Sequence, residues 1–259
     1  MNRIDVKFEE LKQRGEKALI TFVTLGDGGL SFTEEVVYEM VNNGADLIEI
    51  GVPFSDPVAE GPSIQAASAR ALANGVSLDD AFAFVARLRE RVDVPLLLML
   101  YANSVYRCVD FFARCKSAGV DGIIVPDLPY EERSEFSKSA HMNGIYEIRL
   151  VAPTSGKRIE TIADGAEGFL YCVSTTGVTG VRGGFDTDFD NFFGTIRKFS
   201  KVPACVGFGI GTPEQAKKLA YYCDGAIVGS AIVNICADGT PADVGKLVKS
   251  LKEALLQGV

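Results

Sequence analysis

Eight short, uninterrupted runs of aliphatic and β-branched residues recur along the chain, at 18–23, 47–50, 95–99, 122–125, 146–151, 168–173, 204–208 and 225–228. A strand with one wet face alternates apolar and polar residues. A continuous run belongs to a strand buried on both faces, as in a parallel sheet covered by helices. The intervening segments have helical spacing. Residues 33–43 place Val36, Val37, Met40 and Val41 on one stripe, and 78–92 repeats Phe82, Val85, Leu88 and Val92. Segments 109–118, 131–142, 159–164, 189–199, 213–222 and 242–256 continue the pattern, with an extra helix at 63–73 and a short one around Leu11. Glycines at Asn43-Gly44, Ala118-Gly119, Asn143-Gly144 and Asp224-Gly225 read as helix stops ahead of the next strand.

Eight βα units in 259 residues predict one α/β domain over 1–259, a single (β/α)8 TIM barrel with extra short helices. A doubly wound open sheet is the competing layout, and at this length it would have fewer strands. The charge balance, 26 − 34 = −8, leaves no basic footprint for nucleic acid or anionic membrane. No run reaches the ~18 apolar residues of a membrane span. The six cysteines form no C-x-x-C pair, and the single histidine, His141, falls late in a helix facing solvent. This disfavours a zinc site and most histidine-based triads, and the expectation is a cytoplasmic protein with reduced thiols and no secretory leader.

In such a barrel the reacting groups lie at the carboxyl ends of the strands and in the loops that follow. Glu49, inside Leu47-Ile48-Glu49-Ile50-Gly51, has the most apolar surroundings of any carboxylate here. Burial should raise its pKa and suit it to proton transfer near neutral pH; the alternative is a structural carboxylate with a buried partner. The next loop, 51–62, holds three prolines and two glycines and adds Asp56 and Glu60, either as a stiff connection or as a functional loop. Residues 177–184 read as a mobile lid or a loose connection. Glycine turns follow strands seven and eight, at Gly207-Phe208-Gly209-Ile210-Gly211 and Gly229-Ser230, with a capping box expected at Thr212 and Gln215. Such turns make a phosphate site or close helix–strand packing. Phe22 and Tyr171 line a pocket or fill the barrel.

The words Phe22-Val23-Thr24, Pro53-Phe54-Ser55-Asp56-Pro57, Gly61-Pro62, Tyr101-Ala102-Asn103, Val125-Pro126-Asp127, Gly177-Val178-Thr179-Gly180, Gly207-Phe208-Gly209 and Gly229-Ser230-Ala231 together resemble the tryptophan synthase alpha subunit family across nearly the whole chain. The resemblance implies a TIM barrel that cleaves indole-3-glycerol phosphate to indole and glyceraldehyde 3-phosphate by a retro-aldol reaction. It implies no cofactor in this chain, with pyridoxal phosphate held by a beta-subunit partner in an alpha2beta2 heterotetramer. By match, Glu49 is the acid–base carboxylate, and Glu60 stands where the family usually has aspartate, stabilising positive charge through the indole N–H. Gly180, Gly209, Gly229 and Ser230 match the phosphate site, and Phe22, Tyr101, Ile124 and Tyr171 the indole pocket. Thr179 matches the lid, and Pro53 and Asp56 the partner contact. Thr175 replaces the arginine usual before the lid motif, and Gly28 a proline. These departures keep open an alternative, a weakly active or non-catalytic activator of the beta subunit. A phospho-sugar isomerase or epimerase is disfavoured because the paired acids come without a catalytic lysine, histidine or metal cluster.

Overall fold

A computed structural model describes residues 1–173, 188–207 and 209–257. Its strands are β1 (Ala18–Thr24), β2 (Leu47–Gly51), β3 (Leu96–Met99), β4 (Gly122–Ile124), β5 (Tyr146–Glu147), β6 (Arg149–Val151), β7 (Leu170–Val173), β8 (Ala204–Gly207) and β9 (Gly225–Val228). All described pairings are parallel, in the order β5-β4-β3-β2-β1-β9-β8-β7-β6. The ends of that order, β5 and β6, flank a single residue, Ile148, whose amide donates to Ile123 O at 2.9 Å. The sheet therefore closes on itself. The run 146–151, expected as one strand, is divided because its first half pairs with β4 and its second half with β7.

Closure sorts the residues of each strand. On β1, Ile20 and Phe22 point inward, while Leu19 and Val23 join the layer between barrel and helices. The interior is filled by Ile20, Leu47, Leu97, Ile124, Ile148, Phe169, Tyr171, Cys205 and Ile227. Its floor is the helix Arg3–Arg14, longer than expected, which inserts Ile4, Phe8 and Leu11. Polar contacts hold this plug. Asn2 Nδ2 donates to Asp121 O at 2.8 Å, Arg3 pairs with the Asp121 carboxylate at 3.0 Å, and Tyr146 Oη donates to Asp5 at 2.6 Å. Asp121, only 4% exposed, also accepts from Arg89 and from the Leu96 amide.

The outer helices follow the apolar stripes with shifted ends. The first begins at Leu30 rather than 33, and 78–92 ends at Leu88, where Arg89 turns back to the carbonyls of Val92, Val94 and Gly119. The segment 131–142 splits into a 3-10 turn, Tyr130–Glu132, and the helix Ser134–Met142, with His141 exposed and 2.9 Å from Glu167. Ala102–Tyr106 is a helix not foreseen, its five residues being too few for a periodic stripe. Among the proposed glycine stops, Gly44, Gly119 and Gly144 adopt positive φ. Gly225 does not; it is the first residue of β9, and a Cβ there would meet Ala18 Cβ and Cys205 Sγ at 2.8 Å. Among the described residues no helix is long and apolar enough to cross a membrane. Five of the six free cysteines are buried, and burial pushes the thiols of Cys115, Cys223 and Cys236 up to about 12. They serve as apolar filler.

Asp121→Ala leaves Arg89 buried and without its carboxylate. Denaturant unfolding is expected to show a loss of about 3–5 kcal/mol. A loss below about 1 kcal/mol would show that the plug does not depend on this clasp.

Candidate active site

Alternation along β2 turns Glu49 inward, opposite Phe22 in the β1–β2 register. Its carboxyl is 1% exposed, and neither oxygen has a hydrogen-bond partner among the described residues. Burial alone raises its pKa from the ordinary 4.5 to about 8. Tyr171, inward on β7, is raised well above the usual phenol range by burial and secondarily by the Glu49 charge, so the two groups share one low-dielectric space. Two strand-end glycines make room for the large rings. A Cβ on Gly51 would lie 2.4 Å from the Phe22 ring, and one on Gly207 would lie 2.6 Å from Tyr171 Oη.

Glu60 approaches from the loop after β2. Tyr101, just past β3, donates its hydroxyl proton to the Glu60 carboxylate. The same oxygen accepts from the amides of Val58 at 2.9 Å and Ala59 at 3.0 Å. One phenol thus uses its whole hydrogen-bonding capacity on this loop. Phe54 stacks on the Tyr101 ring at 4.8 Å, and Gln65 Nε2 donates to Glu60 O at 2.8 Å. The helix Pro62–Ala73, which follows Glu60, is tied to the loop after β1 by a bidentate pair, Arg70 Nε and Nη2 to Asp27 at 2.7 and 2.8 Å. Burial and the Glu60 bond push the Tyr101 phenol up.

A pocket opens between these elements, lined by Phe22, Thr24, Gly51, Val52, Glu60, Ile64, Ser68, Met99, Leu100, Tyr101 and Pro126. Phe22, Tyr101 and Glu60 were expected near such a site. Thr24, Ile64, Ser68, Met99, Leu100 and Pro126 were missed, although strand alternation from Phe22 already puts Thr24 on the same face. Ile124 and Tyr171 belong to the barrel interior below the mouth. Asp56 is exposed and Pro53 buried. Beyond the neighbouring strands β8 and β9, Gly209 has φ +88° and Gly229 precedes the helix Ser230–Asp238. The Thr212–Gln215 capping box forms, and Gln215 Oε1 also accepts from the Gly211 amide at 2.8 Å. That amide is consequently occupied, leaving Gly209 and the Gly229–Ser230 helix start as the glycine-turn candidates for an anion. Thr175, Thr179, Gly180 and the rest of the 177–184 segment lie outside the described residues.

Comparison with known proteins bears on this geometry. The family model described as "Tryptophan synthase alpha chain" matches residues 8–256. The chain belongs to that family. It is 47% identical to the tryptophan synthase alpha chain of Thermoanaerobacter sp. (strain X514) over 98% of this chain and 100% of that protein. It is 48% identical to that of Carboxydothermus hydrogenoformans over 91% and 89%. Among solved structures, tryptophan synthase subunit alpha from Legionella pneumophila str. Paris superposes with TM-score 0.88 at 36% identity, covering 99% of both chains. A Mycobacterium tuberculosis tryptophan synthase structure gives 0.91 at 33%, covering 98% of both. The tryptophan synthase alpha neighbours are TIM barrels, in agreement with the closed sheet.

Two predictions follow from this geometry. Glu49 takes up a proton on folding between pH 4.5 and about 8, so it lowers stability progressively as pH rises through that window. Glu49→Gln lacks this titration. Its melting temperature relative to wild type is expected to climb from pH 5 to pH 8, and a flat difference would contradict the buried, unpaired carboxyl. Tyr101→Phe strands the two loop amides, each costing about 1–3 kcal/mol if it stays buried. Limited proteolysis within 52–61 should accelerate, and an unchanged rate would show that the phenol does not hold the loop.

Proposed function

We propose that the chain is a carbon–carbon lyase that cleaves indole-3-glycerol phosphate to indole and glyceraldehyde 3-phosphate and passes the indole to a beta subunit. The observation that carries this reading is Glu49: a buried carboxyl with no hydrogen-bond partner among the described residues, paired in register with Phe22 and two residues before Gly51, both of which line the pocket that also holds Glu60. Family membership supports the assignment of roles.

A pKa of about 8 keeps Glu49 protonated at neutral pH, so in the free enzyme it is a general acid. It gives its proton to indole C3, which leaves a carboxylate and places positive charge on the ring nitrogen. Glu60, held by Tyr101, stabilises that charge through the ring N–H. The Glu49 carboxylate then takes the proton of the adjoining glycerol hydroxyl. The oxygen lone pair forms the aldehyde, the C–C bond breaks, and its electrons return to the ring as neutral indole. Glu49 ends protonated, as it began. Gly209, Gly229 and Ser230, with Gly180, hold the substrate phosphate, and Thr179 acts in the lid. This chain's part in the reaction requires no cofactor of its own; pyridoxal phosphate belongs to the beta subunit. The partner would sit over the loops of the mouth, with Asp56 and Pro53 as contact candidates. The exposure of Val58 at 73%, Tyr106 at 66% and Val109 at 81%, all after β2 and β3, supports that placement in an alpha2beta2 assembly. The chain is expected to work in the cytoplasm.

The test is steady-state cleavage of indole-3-glycerol phosphate by the purified chain, alone and with excess beta subunit. Glu49→Gln should lower kcat by roughly 10²–10⁴-fold with the fold intact. The wild-type kcat/KM should fall as pH rises through about 8, because the proton donor is then lost. Glu60→Asp measures how far the longer side chain departs from the best geometry, since a displacement of ~1 Å can change rate by ~10²-fold. Absence of cleavage in both wild-type assays, with clear activation of beta, would overturn the lyase reading in favour of a regulatory subunit.

A further inference from the structure

The helix Pro62–Ala73 begins two residues after Glu60 and brings Ile64 and Ser68 to the pocket wall. Its apolar contacts do little to fix how it is turned about its own axis. The buried residues are Ile64, Ala67, Ser68 and Ala71, and the cluster the helix joins at the barrel mouth is Phe22, Ile64, Ala67 and Val233. Apolar contact is non-directional, and small side chains offer few contacts to lock a rotation. The directional tie is Arg70. Its Nε and Nη2 donate to the two oxygens of Asp27 at 2.7 and 2.8 Å, the one ion pair from this helix to another element among the described residues. A two-pronged guanidinium–carboxylate contact fixes orientation as well as distance. Asp27 is 3% exposed and sits in the turn after β1, where its amide donates to Thr24 O at 3.3 Å. The same turn bears on Val76, just beyond the helix: a Cβ on Gly26 would lie 2.3 Å from Val76 Cγ2. At the other end, Gln65 Nε2 holds the Glu60 carbonyl at 2.8 Å, so the setting of the helix is passed on to Glu60.

We propose that Asp27 and Arg70 are positioning residues for the reaction: their bidentate pair sets the rotation of the helix Pro62–Ala73 and thereby the placement of the Glu60 carboxylate against the substrate ring. This rests on the lyase reading. Neither residue lines the pocket, so neither touches the substrate. Tyr101 holds Glu60 from the β3 side, and the Asp27–Arg70 pair holds the helix behind it from the β1 side. The role differs from that of a plain structural ion pair in what its loss disturbs. A displaced Glu60 stabilises the positive charge of the transition state less well, while the grip on the substrate phosphate is untouched. kcat then falls and KM does not.

The experiment is steady-state cleavage of indole-3-glycerol phosphate by the full chain with excess beta subunit, for Arg70→Met, Asp27→Asn and the double variant, beside crystal structures of the single variants. kcat should fall by about 10- to 100-fold, with KM within about 3-fold of wild type and the Glu60 carboxylate displaced by roughly 1 Å. The double variant should be no worse than the weaker single one, because the two side chains act as a unit. Arg70→Lys keeps the charge without the fork and should recover part of kcat. Where Arg70→Met fails to fold because Asp27 is left buried and unpaired, Arg70→Lys and Asp27→Asn carry the test. A kcat within about 2-fold of wild type in the folded variants overturns the proposal, since a ~1 Å displacement should cost far more. So do additive losses in the double variant, a lowered melting temperature with unchanged turnover, a rise in KM alone, or a Glu60 carboxylate that stays in place. Absent cleavage by wild type sinks the lyase reading, and the crystal structures then decide by themselves whether the pair places Glu60. Intact cleavage in wild type and variants alike sinks only the positioning proposal.

Discussion

The backbone of Ile148 is where the sheet becomes a barrel. Its flanking dipeptides give one half of the fifth strand to β4 and the other to β7, so no edge is left among the described strands. Once the circuit is closed, every inward side chain faces other inward side chains. The helix Arg3–Arg14 seals the lower end, pinned through Asn2, Arg3 and Asp5. The pocket beside Glu60 opens at the opposite end, past the carboxyl ends of the strands. In barrels of this kind the carboxyl ends of the strands are where chemistry is found.

Glu49 shows what closure does to an ordinary side chain. In an open strand a glutamate would be hydrated with a pKa near 4.5. Inside the barrel, burial raises it to about 8. No counter-charge is needed to explain the shift, and none lies within hydrogen-bonding distance among the described residues. The barrel tolerates the unpaired group because the same burial keeps it neutral at physiological pH. Thr24 carries a second unmet polar group, a buried hydroxyl without a hydrogen-bond partner among the described residues, in the wall of the pocket.

Around these two unsatisfied groups the mouth is over-determined. Tyr101 saturates its hydroxyl on two amides and a carboxylate of one loop. Arg70 and Asp27 join the loop after β1 to the helix after Glu60. Gly51 and Gly207 give up side chains so that Phe22 and Tyr171 can lie across the strand ends. Rigid supports beside unpaired polar atoms are the arrangement expected of a site organised before its ligand arrives.

Much of this was legible in one dimension. Continuous apolar runs mark two-sided burial locally, and repetition of the βα unit eight times leaves few closed arrangements, so the barrel and the strand positions could be read from the residues. Glu49 stood out because a carboxylate within an apolar run is visible without a fold, and the glycine turns after the last two strands because turn chemistry is local. The word-level resemblance placed Glu60 and Tyr101 in one site. What the chain order could not supply was contact between residues far apart in it. That Tyr101 holds Glu60, 41 positions away, that Ile64, Ser68 and Pro126 share a wall with Phe22, and that Ile124 lies below the mouth are consequences of strand stagger and loop packing. Residue type and local period determined which groups face inward; only closure of the sheet decided which inward groups meet, because their neighbours come from other turns of the barrel.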